Sequence, residues 1–344
     1  MEQPEISQSQ LNQWVATQLL AQHCGTLLDF KPLTGDASFR RYFRAQTAGA
    51  SFVAAYAPPD KENNTGFVTV AKLLHNAAVS APQVLGADLQ RGFLLLSDLG
   101  DQVLLHCLNA ENAGEYYALA IAELLKMQQI KPTSSMPLYS GVVLMIELGR
   151  FQEWFVAGLL NVTLNQCERK MIEYAQQVIV ASADSQPQVF VHRDFQSRNL
   201  MPQTNGRLAV IDFQDAAIGP LTYDVACLLR DTHIDWPAQQ VREWALNYLG
   251  LAQQRGLLPD CDEKTFLRWF DLNSLERNVT VLGTFSRLYL RDGKSEYLQQ
   301  LPRLIRYILT IAKDYPEFAP FLRWFEDRLL PIVKQQDWYR PHKR

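Results

Sequence analysis

The spacing of apolar residues changes character along the chain, and the changes divide it. In residues 6–23, ISQSQLNQWVATQLLAQH, apolar side chains recur three and four apart, which predicts an amphipathic helix that Gly25 ends. The next segments, TLLDFKPL, FRRYFRAQ and SFVAAYA, are short and rich in aromatic and β-branched residues, with TGDAS and TAGA between them. They predict the strands of an antiparallel meander. TGFVTVAKLLHNAAV returns to helical spacing, and QVLGADLQRGFLLLSDLG predicts a hairpin closed by a turn. Beyond Gly100 the pattern is mainly helical, interrupted by QVFVHRD and RLAVIDF, two short strands flanking a loop that carries the turn signal Asn205-Gly206. The expectation is an α+β fold of two lobes. A small antiparallel β lobe, 1–100, precedes a larger helical lobe, 101–344, with the boundary between Leu99 and Asp101 and no internal repeat.

Composition narrows the function. With 344 residues and 47% hydrophobic content, the chain can bury a large core. Its 33 basic and 36 acidic residues give a net charge of −3, so no global field gathers nucleic acid or an anionic membrane. The opening MEQPEISQSQLNQWVATQLL lacks the basic start and apolar block of a signal peptide, and no run approaches the roughly 20 apolar residues of a membrane span. Five scattered cysteines, never spaced C-x-x-C, argue against a disulfide framework and against zinc. A cytoplasmic enzyme with a small-molecule substrate and neither a nucleic-acid nor a membrane partner is expected; the oligomeric state is left open.

The chemistry concentrates in VFVHRDFQSRNLMPQ, from Val189. Here His192, Arg193 and Asp194 follow a predicted strand, Asn199 lies five residues beyond the aspartate, and Asp212 ends the next strand in AVIDFQD. A loop with one carboxylate and one carboxamide, doubled back beside a second carboxylate, gathers the hard oxygen ligands that magnesium prefers. It leaves Asp194 free to accept a proton, and phosphoryl transfer asks little else of side chains.

HRDFQSRN followed by IDF resembles the catalytic and metal-binding motifs of protein-kinase-like phosphotransferases. GPLTYDVACLLRD directs the resemblance to the aminoglycoside phosphotransferase and choline kinase branch. Within that branch, LTGDASFRRYFR, APPDKE, RGFLLLSDLG and IDFQDAAIGPLTYDVACLLRD resemble the bacterial sugar kinases of cell-wall recycling, which phosphorylate N-acetylmuramate and N-acetylglucosamine at the anomeric hydroxyl. The likeness runs from Leu33 to about Asp231. It implies ATP and Mg2+ as cofactors, Asp194 as catalytic base, and Asn199 and Asp212 as metal ligands. It further implies a phosphate-covering loop of Gly35, Asp36, Ala37, Ser38 and Phe39, and an adenine-facing hinge at Ser97, Asp98 and Leu99. His192 and Asp224 would brace the catalytic loop, Asp224 from a helix start where a carboxylate suits the dipole. Gln196 and Arg198 would face the acceptor.

One departure stands out. Where the kinase pattern has a lysine on the third strand, FVAAYA has Ala55 and Tyr56, and the following helix offers no glutamate to pair with it. Either Arg41, Arg44 or Lys61 approaches the phosphates, or the chain is a pseudokinase that binds nucleotide without transfer. TGDASF is also ordinary turn chemistry, and Arg40, Arg41 and Arg44 fit the wet face of a strand. Further on, Arg277, Thr280, Thr284, Arg287 and Arg291 share one face of a predicted helix. That stripe reads as solvated by default. A guanidinium from it, Arg287 first and Arg277 second, would suit a sugar carboxylate. An aminoglycoside acceptor is the other alternative, and the 10 acids against 8 bases between Asp231 and Glu296 give little of the acidic cleft that a polycation needs.

Overall fold

A computed structural model of the chain describes residues 8–33, 39–133 and 136–339. In chain order the helices are α1 (Gln8–Ala21), α2 (Asn64–Asn76), α3 (Ala113–Gln128), α4 (Gly141–Arg150), α5 (Gln166–Asp184), α6 (Tyr223–Leu229), α7 (Ala238–Gln254), α8 (Glu263–Asp292), α9 (Leu301–Lys313), α10 (Ala319–Trp324) and α11 (Leu330–Val333). The strands are β1 (Asp29–Pro32), β2 (Arg41–Gln46), β3 (Ser51–Tyr56), β4 (Val84–Asp88), β5 (Phe93–Ser97), β6 (Gln188–Val191), β7 (Leu200–Pro202), β8 (Leu208–Val210) and β9 (Ala217–Pro220). The chain divides into two compact units, Met1–Asn112 with Arg198–Asp215, and Ala113–Ser197 with Ala216–Arg344.

The first unit is built on a five-stranded antiparallel sheet in the order β1-β2-β3-β5-β4. The predicted meander holds for β1 to β3, but β3 then pairs with β5, because α2 intervenes and the β4–β5 hairpin joins the sheet by its second strand. α1 is buried through Leu11, Trp14, Val15 and Leu19, which join Phe43, Phe52, Phe93 and Leu95 from the sheet in one core. The Asn63 side chain caps α2 by accepting from the Gly66 N–H. β7 and β8 form a hairpin in this unit, turned at Asn205-Gly206, where Gly206 takes a φ of +77°.

Residues of the second unit pack around α8, 30 residues long. Asp262 caps its start by accepting from the Thr265 N–H at 2.7 Å, and Gly293, left-handed at φ +71°, ends it. From Leu272 to Gly283 every residue of α8 is buried, so this stretch is a core helix instead of an amphipathic surface helix. The face on which Arg277 and Thr280 lie is therefore not the solvated stripe that default reading of the sequence gives: they are only 8% and 6% exposed. A π-helical stretch, Phe151–Leu159, follows α4 and buries Phe151 and Phe155 against Phe325. β6 pairs with β9, a strand that four buried residues form and that no alternation announced in the sequence. Among the described residues no helix is long and apolar enough to cross a membrane.

Candidate functional site

In the second unit, β6 delivers its buried apolar residues directly into His192, which is fully buried. At the start of α6, the Asp224 carboxylate accepts the backbone N–H groups of His192 at 2.6 Å and Arg193 at 2.9 Å. Complete burial outweighs these donors and pushes the Asp224 carboxyl up to about 6. Arg193 holds a φ of +74°, a left-handed conformation costly for a residue of its size. Contacts on every side maintain it. Its guanidinium donates to Glu147 at 2.8 Å and lies 4.4 Å from the Tyr139 ring centre, and its carbonyl accepts from Arg277 at 3.0 Å.

That arrangement turns Asp194 outward. Its side chain is 44% exposed, and its Oδ1 accepts from Arg277 at 3.1 Å. Burial of its surroundings opposes ionisation, but the charges of Arg277, His192 and Arg193 outweigh it and hold the carboxyl below the ordinary aspartate range. Arg277 also reaches Gln196 Oε1 at 3.4 Å. Beyond Asp194 the loop is secured again, because the buried Asp231 carboxylate accepts from both the N–H and the hydroxyl of Ser197, at 2.8 and 2.6 Å. Two buried aspartates, Asp224 before and Asp231 after, therefore fix the segment that presents Asp194. Neither Asp231 nor Glu147 carries a local signal in the sequence, and Arg277, expected at the acceptor, commits its guanidinium to this loop.

The first unit carries the other motif residues. Asn199 is buried, and its carbonyl accepts from the Ile211 N–H at 3.0 Å, which closes the β7–β8 hairpin and brings Asp212 beside it. The Asn199 amide nitrogen lies 3.5 Å from Asp212 Oδ2, and Gln214 donates to Asp212 Oδ1 at 2.8 Å. Asp212 takes a φ of +66°, which aspartate tolerates better than most residues. Phe213 is buried and stacks on Phe67 of α2 with ring centres 4.9 Å apart. Among the described residues no group of three or more His, Cys, Asp and Glu side chains could hold a metal ion. One carboxylate and one carboxamide do fit an ion that keeps phosphate oxygens and waters as most of its ligands, as magnesium does. Arg198, where the chain enters this unit, is half-buried.

The same unit contains an ion pair absent from the sequence-based expectation. Arg40, 4% exposed and thus not on a wet face, donates to Glu62 at 3.1 Å and lies 5.2 Å from the centre of the Phe67 ring. Burial raises the nearby Tyr42 phenol, which also feels the charges of Arg40 and Asp212. The three cations named for the missing lysine are placed otherwise. Arg44 is bound by Asp98 and Asp101, Arg41 stacks over Tyr56, and Lys61 pairs with Asp60. Glu62 precedes the N-cap of α2 and so lies outside the helix in which the kinase pattern has its glutamate.

At the hinge, Asp98 accepts from Arg44 at 2.7 Å, Ser51 at 2.5 Å and the Gly100 N–H at 2.9 Å, and these contacts hold its carboxyl low although burial opposes them. The Ser97 hydroxyl accepts from the Gln83 N–H, and the Leu99 carbonyl from Gln203. Phe39 is 64% exposed. Gly35, Asp36, Ala37 and Ser38 lie outside the described residues.

Comparison with known proteins matches residues 29–259 to the model of a phosphotransferase enzyme family. The N-acetylmuramate/N-acetylglucosamine kinase of Pseudomonas putida is 42% identical over 286 residues, covering 83% of this chain and 84% of that protein. The protein of the same description from Neisseria meningitidis serogroup B is 39% identical over 291 residues, covering 83% and 86%. Among solved structures, a choline/ethanolamine kinase family protein from Mesorhizobium loti aligns with a TM-score of 0.62 at 16% identity over 91% of this chain and 98% of its own. The GDP complex of aminoglycoside 2'-phosphotransferase-IIIa aligns with a TM-score of 0.60 at 17% identity over 88% and 99%. At such identities the likeness shows the fold alone, and that fold is protein-kinase-like.

Proposed function

The chain belongs to the phosphotransferase enzyme family, among the N-acetylmuramate/N-acetylglucosamine kinases, and from that premise we propose that it transfers the γ-phosphoryl group of ATP to the anomeric hydroxyl of one or both sugars. The observation that carries the proposal is the loop around Asp194, a solvent-accessible carboxylate held ionised by Arg277 on a backbone fixed by Asp224 and Asp231. Asp194 orients the anomeric hydroxyl and accepts its proton as the oxygen bonds to phosphorus and ADP leaves. The carboxyl must be charged to do so. The guanidinium of Arg277 favours that state before the acceptor arrives, acts through the Asp194 carboxylate to which it donates, and is therefore a positioning residue.

Asn199 and Asp212 would hold magnesium, which when bound neutralises charge on the phosphates. Arg40, kept in place by Glu62, takes the part of the absent third-strand lysine on the phosphates; its buried guanidinium gives the site the cation that a pseudokinase would lack. The hinge at Ser97, Asp98 and Leu99 would meet adenine through its backbone, with the Asp98 side chain committed to Arg44. Residues 1–100 would serve as the nucleotide-binding lobe and residues 101–344 as the catalytic and substrate-binding lobe, with Gln196 and Arg198 near the acceptor and the reaction taking place in the cytoplasm.

Coupling ADP release to NADH oxidation, with ATP, magnesium and each sugar in turn, tests the proposal. Turnover with at least one sugar, and none with an aminoglycoside such as kanamycin, is expected. Turnover with the aminoglycoside alone would overturn it.

A further inference from the structure

We propose that Arg150 and Arg287, with Thr284 between them, form an anion subsite that selects amino sugars bearing a carboxylate; the proposal rests on the sugar-kinase reading above and gives it a specificity device. Arg150 ends α4, where the backbone changes to the π-helical stretch, an irregularity that often accompanies functional sites. α8 passes this junction at Gly283. A Cβ on Gly283 would stand 2.4 Å from the carbonyl carbon of Arg150 and 2.6 Å from the Phe151 nitrogen, so a side chain there would drive the two backbones apart. The absence of one brings Arg150 against Thr284, the next residue of α8, with Arg287 about one turn further on.

The two guanidiniums are poorly neutralised. Arg150 reaches Thr284 Oγ1 and Glu147 Oε1 only at 3.4 Å each. Glu147 is more strongly engaged elsewhere, since its Oε1 accepts from Arg193 at 2.8 Å and its Oε2 from the Tyr139 hydroxyl at 2.5 Å. Arg287 has a buried Nε with no hydrogen-bond partner among the described residues. Burial, and after it the charges of Arg150 and Arg291, disfavour its cation; Asp292 and Glu153 oppose that effect only partly, as Asp292 is bound to Arg291 at 2.7 Å and Glu153 is exposed. Arg150 is thus paired only at long range with a carboxylate it shares with Arg193, and the buried Nε of Arg287 lacks an acceptor among the described residues, so a carboxylate accepting from both would supply what each is short of.

The subsite also belongs to the neighbourhood of the catalytic loop. Glu147 Oε1 receives both Arg193, which precedes Asp194, and Arg150, so the heads of those arginines flank one oxygen. N-acetylmuramate differs from N-acetylglucosamine by a lactyl ether with an ionised carboxylate, the group such a pair would recognise.

The test compares N-acetylmuramate with its uncharged methyl ester. For the wild-type protein, kcat/KM should fall about ten- to hundredfold on esterification, the loss that a charge-assisted contact implies. In Arg150→Ala and Arg287→Gln the acid-to-ester ratio should collapse toward one, while Arg287→Lys, which keeps the charge, should retain part of it. Calorimetric titration of the wild-type protein and Arg287→Gln with acid and ester reads the same preference without turnover. An ester that serves the wild-type protein as well as the acid, or ratios unmoved in the variants, overturns the subsite. Carboxylate-dependent binding lost in Arg287→Gln, but without phosphate transfer to either sugar, would preserve the subsite and overturn the kinase reading instead.

Discussion

Replacing Glu276 by glutamine tests the electrostatics beneath the catalytic loop, and the sign of its effect reverses the usual cost of altering a buried charged residue. Glu276 is fully buried on α8; its Oε1 accepts from Thr280 at 2.9 Å, and its Oε2 has no partner among the described residues. Burial, and then the neighbouring Glu147 charge, push its carboxyl from an ordinary 4.5 up to about 8. Between those values the folded protein holds a proton that the unfolded chain releases, so stability falls as pH rises through the window. Each pH unit corresponds to roughly 1.4 kcal/mol for a group that is fully coupled, which sets a ceiling of about 3 kcal/mol between pH 5.5 and 8. Glutamine keeps the Thr280 bond and has no proton to lose. In guanidinium denaturation at about pH 5.5 and pH 8.5, the variant's stability relative to the wild type should therefore improve by roughly 2–3 kcal/mol at the higher pH. Groups common to both proteins cancel in that difference. A gap that stays constant within about 0.5 kcal/mol would show that Glu276 is ionised throughout and refute the reasoning.

Three further outcomes are expected. Asp194→Asn should lower kcat by about 10²-fold or more while the thermal transition stays in place, and near-normal turnover would remove Asp194 as the base. Asp212→Asn, chosen because asparagine tolerates the φ of +66°, should abolish transfer even at saturating ATP, and full activity in chelator would contradict a metal at that position. Gly283→Ala should destabilise the fold by about 1–3 kcal/mol, since its methyl group meets backbone atoms that cannot turn aside; a denaturation midpoint equal to that of the wild type would show that the helices part without cost.

What the sequence disclosed and what it hid separate along one line. Asp194, Asn199 and Asp212 were legible because their spacing is local, a few residues on either side of short strands. The strands of the first unit were legible for the same reason, through the aromatic and β-branched content of each short segment and the turn residues between them. Partnerships across long separations were not. Asp231 reaches back 34 residues to Ser197, and Arg277 reaches 83 to Asp194, so neither contact leaves a periodic trace. Arg277 and Thr280 read as a solvated face because polar residues at helical spacing normally face water, whereas α8 is enclosed there and these two find their hydrogen-bond partners inside the unit. Arg40 was misread for a subtler reason. In RRYFR the three arginines bracket two aromatic residues as on a half-exposed strand, but the strand begins at Arg41, which leaves Arg40 outside the pleat, where it turns inward to Glu62.

The position of the transferred phosphate tests the central claim most directly. With ATP and magnesium, the reducing sugar and its methyl glycoside should be compared, and the product examined by a phosphorus–proton NMR correlation. The account predicts that the free sugar reacts, that its phosphorus couples to the anomeric proton, and that the glycoside, whose anomeric oxygen is blocked, is inert. A glycoside phosphorylated as fast as the free sugar, with phosphorus coupled to a ring or C6 proton, would contradict it.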